Sequence, residues 1–132
     1  HFAETEKERF HWSAPFDITT GELKKPMNTD NYNELTAIHL LDKFKEDASI
    51  CAITAATPST WGWTEERRKI AGKQFVDVGI AEEHAVALAS GIAKAGGKPI
   101  FGVCSSFLQR AYDQISQDLC INNNPATISI VR

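Results

Sequence analysis

The stretch FVDVGIAEEHAVAL, residues 75–88, decides the fold. Its opening is an apolar, strand-like run that breaks at Gly79, and from Ala81 the pattern turns helical, with Glu82, Glu83 and His84 in the first turn. A buried strand running straight into a helix is the repeating unit of a parallel α/β sheet. Open sheets of that kind place their ligands just beyond the carboxyl ends of the strands. Acids in the first helical turn at such a junction therefore stand where chemistry is expected.

Toward the C-terminus the pattern repeats. The helix begun at Ala81 runs to Ala95 with an apolar face of mostly small residues, Ala85, Leu88, Ala89, Ile92 and Ala93, which lets it lie close on a sheet or against a twin helix. Gly96 and Gly97 supply a left-handed cap, and KPIFGVC, residues 98–104, reads as a strand. Ser105 or Ser106 then caps a helix in which Phe107, Ala111, Ile115 and Leu119 recur at four-residue steps. The run 122–125, Asn-Asn-Asn-Pro, ends it before a last strand over 126–131.

Toward the N-terminus, Thr64 caps a short helix that Gly72 stops, and ICAITAA, residues 50–56, has the length of a strand buried on both faces. Between them, TPSTWGWT carries Trp61 and Trp63, which either wall a ligand or cover a core edge or another subunit. A further helix starts at Asp30 or Asn31 and ends near Glu46, with Leu35, Ile38, Leu41 and Phe44 at three-residue steps and Ala37, Leu40 and Ala48 broadening the stripe. Residues 1–30 lack useful periodicity and contain Pro15, Gly21 and Pro26, so they read as an interdomain leader. Strands alternating with helices predict a doubly wound, mainly parallel α/β sheet with helices on both faces over residues 31–132. The last strand ends at the C-terminus, so the chain reads as a domain truncated there, a fragment of something larger.

Composition narrows the function classes. With 132 residues and 42% hydrophobic content there is material for one ordinary core. The net charge of -3 includes no basic field of the size that nucleic acid or an anionic membrane demands. Cys51, Cys104 and Cys120 match no metal spacing and are expected as reduced thiols in a cytoplasmic protein. No apolar run approaches the roughly 18 residues of a membrane-spanning helix.

Three segments converge on the carboxyl edge of such a sheet: 57–64 after the first strand, Glu82 after the second, and 105–110 after the third. At this point a resemblance enters. D-V-G-I-A-E-x-H-A-V (77–86), followed by S-x-F-L-Q-R-A-Y-D-Q (105–114), resembles the pyrimidine-binding domain of the transketolase-like thiamine diphosphate enzymes, most closely the 1-deoxy-D-xylulose-5-phosphate synthases. The leader RFHWSAPFDITTGEL (9–23) is similar to the segment that joins the diphosphate-binding and pyrimidine-binding domains of those synthases.

The resemblance implies a cofactor, thiamine diphosphate, and a glutamate that hydrogen-bonds its aminopyrimidine ring so that the ring's imino form removes a proton from the thiazolium. Glu82 matches that glutamate, a role that needs a dry setting. Ile80 and Phe107 match cofactor-binding positions, Phe107 as the aromatic on which the pyrimidine stacks. Arg110 matches an arginine that holds the substrate phosphate, where a guanidinium fork is apt; otherwise it is a surface arginine paired with Asp113 or Asp118. His11 matches a substrate-binding histidine, and His84 is expected behind the site or at an interface. Glu83 replaces a common glutamine, and Cys104 replaces a common tyrosine.

The implied substrates are pyruvate and glyceraldehyde 3-phosphate, the implied assembly a homodimer, and the implied Mg2+ ligands lie on a domain absent from this chain, which by itself is expected to be inactive. Two alternatives stand beside this reading. One is a transketolase or split transketolase-like subunit that transfers two-carbon ketol units, and the other is a noncatalytic α/β interaction module.

Overall fold

The computed structural model describes residues 2–11, 13–24 and 31–131. The chain divides into two compact units, His1–Asn31 and Tyr32–Arg132. In the first, two short helical segments, α1 (Phe2–Thr5) and α2 (Lys7–His11), precede a turn bridged at Phe16↔Leu23. Asp17 organises that turn, its Oδ1 accepting from the backbone N–H of Thr19 at 2.7 Å and of Thr20 at 3.2 Å, as Asx turns do. Phe10 meets Phe16 edge-on. Pro26 and the candidate cap Asp30 lie outside the described residues.

The second unit is built on four strands, β1 (Ile50–Thr54), β2 (Phe75–Asp77), β3 (Lys98–Cys104) and β4 (Thr127–Val131). They lie in the order β2-β1-β3-β4, and every pairing is parallel. The helices are α3 (Tyr32–Glu46), α4 (Glu65–Ala71) and α5 (Glu82–Lys94). After β3 the chain winds through α6 (Ser105–Leu108), a 3-10 turn, α7 (Tyr112–Gln114) and a π-helical stretch, Ile115–Ile121. The connection leaving β1 leads to β2 on one side of the sheet and that leaving β3 leads to β4 on the other. The strand order therefore reverses between β1 and β3, and in open α/β sheets such a reversal marks the crevice at the carboxyl ends where ligands bind.

Period-two alternation divides each strand between two cores. Ala52 and the partly buried Ile50 of β1 pack with Ala37, Leu40 and Phe44 of α3 and with Trp61 and Trp63, while Ile53 packs on the other face with Ala85, Val86, Ala89, Phe101 and Val103. This is the fold that the alternating pattern predicts, with helices covering both faces. Thr64 caps α4 as expected, its side chain accepting from the Arg67 N–H.

Two local expectations need correction. In α3 the buried residues are Ala37, Leu40 and Phe44, whereas Leu35 and Ile38 are 59% and 46% exposed. Three-residue steps each fall about 60° short of a full turn, so a stripe read that way winds off the sheet-facing side. The segment after β3 is an irregular succession of helical types rather than one α-helix, and Cys104, whose side chain makes no capping bond, holds its N-cap in place of a serine. Of the readings open for Trp61 and Trp63, the core is the one found, both being 0% exposed. Trp63 packs against Phe44 and Phe75.

Candidate functional site

Glu82 is the only buried carboxylate among the described residues and is 1% exposed. Its position follows from the chain on either side. Val78 N–H still bonds Thr54 C=O at 3.0 Å, extending the sheet by one residue. Gly79 then turns the backbone with φ 75°, and Ala81 N–H closes a tight turn on Gly79 C=O at 2.8 Å. Ala81 C=O accepts the first bond of α5 from Ala85. Glu82 is thereby the first residue of the helix, where the helix dipole favours a carboxylate.

The partner of Glu82 comes from the other side of the crevice. Arg110 Nη1 lies 3.1 Å from Glu82 Oε2, and the arginine side chain is 51% exposed. The pair therefore has a dry end and a wet end: the carboxylate is buried, and the guanidinium side chain meets solvent. Arg110 bonds neither Asp113 nor Asp118, the local partners that spacing offers. A second tie fixes the same two helices, since Ser90 Oγ donates to Asp118 C=O at 2.8 Å. Both links join residues 28 apart, so α5 and the segment after β3 run side by side in the same direction and hold Glu82 and Arg110 in register.

Around this pair stand two exposed apolar side chains. Ile80, two residues before Glu82, is 78% exposed, and Phe107, one turn before Arg110, is 40% exposed. Glu83 and His84 both point to solvent. Cys104 is half-buried against the tryptophan core, so the alternation of β3 turns it away from the face that bears Glu82. The loop after β1 contributes backbone rather than tryptophans, because its indoles go into the core. His11 ends α2 in the first unit and is exposed. Among the described residues no three of His, Cys, Asp and Glu are grouped as metal ligands would be, and no helix is long and apolar enough to cross a membrane.

The arrangement fits an uncharged nitrogen heterocycle: an aromatic and an aliphatic surface to receive a flat ring, and a sheltered carboxylate to share a proton with a ring nitrogen. One residue at this edge escapes sequence reasoning. Asp77 ends β2 and accepts backbone N–H bonds from two loops; an acid placed directly before the strand-ending turn was the available signal.

Residues 31–132 match the family described as "Transketolase, pyrimidine binding domain". The chain is also 45% identical over 130 residues to the 1-deoxy-D-xylulose-5-phosphate synthase of Pelotomaculum thermopropionicum, a match that covers 98% of this chain and 20% of that protein. Against the synthase of the same name from Symbiobacterium thermophilum it is 44% identical over 131 residues, 99% of this chain and 20% of that protein. The Halothermothrix orenii synthase gives 42% over 130 residues with 98% and 20% coverage. The chain thus spans about a fifth of the length of these relatives. An all-parallel sheet carrying a buried glutamate at its carboxyl edge, together with a match over residues 31–132, shows that the chain belongs to the transketolase pyrimidine-binding domain family.

Proposed function

We propose that this chain is the pyrimidine-binding part of a thiamine diphosphate-dependent transferase that condenses pyruvate with glyceraldehyde 3-phosphate to 1-deoxy-D-xylulose 5-phosphate, a precursor of isoprenoids and thiamine. The observation that carries the reading is the sealed carboxylate of Glu82 at the carboxyl edge, paired with Arg110 and flanked by exposed Ile80 and Phe107.

Thiamine diphosphate supplies a thiazolium carbon that becomes nucleophilic once deprotonated. With that cofactor bound, Glu82 would share a proton with a ring nitrogen of the aminopyrimidine, and its burial would keep water from competing for that proton. Phe107 and Ile80 would hold the pyrimidine by apolar contact. Arg110 binds Glu82 through one edge, and the fork geometry of a guanidinium leaves donors for a substrate phosphate on its solvent side. His11 in the leader assists substrate binding. Residues 1–30 act as leader and 31–132 as the pyrimidine-binding domain.

Mg2+ and the diphosphate are held by residues outside this chain. The small-residue helix α5 supports a homodimer by allowing close approach of a second copy. That Cys51, Cys104 and Cys120 form no disulfide suits the reducing cytoplasm, where the reading places the enzyme.

The decisive experiment changes Glu82→Gln in the full-length protein. Turnover of pyruvate and glyceraldehyde 3-phosphate is expected to fall by at least about a hundredfold, the scale of a lost acid–base group, with the fold retained. Near-normal turnover would sink the assignment. Assaying ketose donors beside pyruvate separates the synthase from a transketolase.

A further inference from the structure

Asp77 is the last residue of β2, and its Oδ1 accepts from the N–H of Ala56 at 2.8 Å and of Gly79 at 3.0 Å. The two donors belong to different loops. Ala56 follows β1, on one side of the crevice, and Gly79 begins the turn that delivers Ile80 and Glu82. Both donors have left-handed backbone, φ 57° at Ala56 and φ 75° at Gly79. Gly79 adopts that conformation readily; an alanine does not, so Ala56 needs an outside tie to stay there. From Gly79 the ordering passes directly to the site, through the Ala81 N–H to Gly79 C=O bond and the Ala85 N–H to Ala81 C=O bond that opens α5.

We propose that Asp77 is a positioning residue for Glu82: by clamping the Ala56 and Gly79 amides with one oxygen, it sets the backbone that presents Ile80 and the Glu82 carboxylate to the cofactor's pyrimidine ring. The inference rests on the thiamine diphosphate reading for its ligand, but its structural core is independent of any ligand. Asp77 touches no reacting atom; it acts through the loop. A carboxylate acceptor makes hydrogen bonds about twice as strong as a neutral one, so asparagine keeps the geometry with a looser grip and alanine abolishes it.

The test uses the full-length protein as wild type, Asp77→Ala, Asp77→Asn and Glu82→Gln. In cofactor-free protein, hydrogen–deuterium exchange over residues 55–57 and 78–82 is expected to accelerate about tenfold in Asp77→Ala and about threefold in Asp77→Asn, the scale of one lost or weakened hydrogen bond. Exchange in α3 is expected to stay at its wild-type rate. With Mg2+ present, thiamine diphosphate affinity is expected to weaken about tenfold in Asp77→Ala, and kcat to fall with it, whereas Glu82→Gln loses turnover without faster exchange. Unchanged exchange in the 55–57 and 78–82 segments overturns the inference, as does acceleration spread evenly over the chain. If Asp77→Ala does not fold, the Asp77→Asn exchange decides alone: wild-type rates in both segments overturn it. Failure of wild-type protein to bind thiamine diphosphate overturns the functional reading and the ligand assigned here, while the exchange result still decides whether Asp77 orders the Glu82 loop.

Discussion

Gly102 shows how much one missing carbon decides. It lies in the middle of β3, and a Cβ there would stand 2.0 Å from Trp61 Cδ2 and 2.1 Å from Cε3. The indole therefore lies directly on the strand backbone, and the sheet accommodates it only because residue 102 has no side chain. Gly102→Ala is expected to destabilise the fold by about 3 kcal/mol, at the upper end of overpacking costs because a rigid buried ring cannot step aside. Urea unfolding measures it, and a loss below about 0.5 kcal/mol would refute this account of the contact. At this scale the sequence shows chemistry better than partners. The carboxyl-edge positions of Glu82 and Phe107 are legible from the strand–helix pattern, yet the Glu82–Arg110 pair is not, because spacing reveals only neighbours on the same helix. Trp61 and Trp63 are ambiguous for the same reason: an aromatic pair in a Gly- and Pro-bearing loop reads as ligand wall or core until its seat on Gly102 and Phe44 is known.

At the scale of elements, boundaries follow from local signals and facing from tertiary ones. Thr64 and Gly72 bracket α4 as read, since a cap and a stop act within one turn. The face of α3 was not settled by its apolar residues, which surround too much of the helix. Leu35 and Ile38 lose to Ala37 and Leu40 because the sheet selects by close approach as well as by hydrophobicity. The irregular path after β3 likewise has no local cause; the Ser90–Asp118 bond to α5 bears on the π-helical stretch from outside. One link between elements carries a pH dependence. Asp47, just past α3, accepts from Lys98 Nζ at 2.7 Å, from Ser49 Oγ at 2.6 Å and from Ser49 N–H at 2.8 Å. These bonds, that from Lys98 foremost, hold its carboxyl well below the usual carboxylate range. A depressed folded value stabilises above the unfolded value of about 4 and is lost as pH falls below it. Between about pH 4 and pH 2 the wild-type urea midpoint is therefore expected to fall more steeply than that of Asp47→Asn. Parallel profiles would show that the link contributes nothing to folding.

On the scale of the whole molecule, the parallel sheet explains why residues so far apart in sequence share one edge. Every strand ends on the same side, so segments 55–57, 78–82 and 105–110 meet there whatever their separation along the chain. What gathers is a buried carboxylate, two exposed apolar side chains and one guanidinium. A diphosphate carries several negative charges, and a single arginine already bound to Glu82 is a poor match for them. On the proposed function the cofactor would be divided: its ring chemistry would belong to this chain, and most of its binding energy to Mg2+ and cationic groups outside residues 1–132, in keeping with relatives about five times as long as the segment matched here. Removing Mg2+ from full-length protein with EDTA is accordingly expected to weaken thiamine diphosphate binding by more than about a hundredfold, the equivalent of about 2.7 kcal/mol. Glu82→Gln, by contrast, is expected to change affinity by less than about tenfold while abolishing turnover. Isothermal titration on both proteins measures the two effects. Tight cofactor binding by residues 1–132 alone, with or without Mg2+, would mean that this edge holds the diphosphate as well, and the division between chemistry and binding would be wrong.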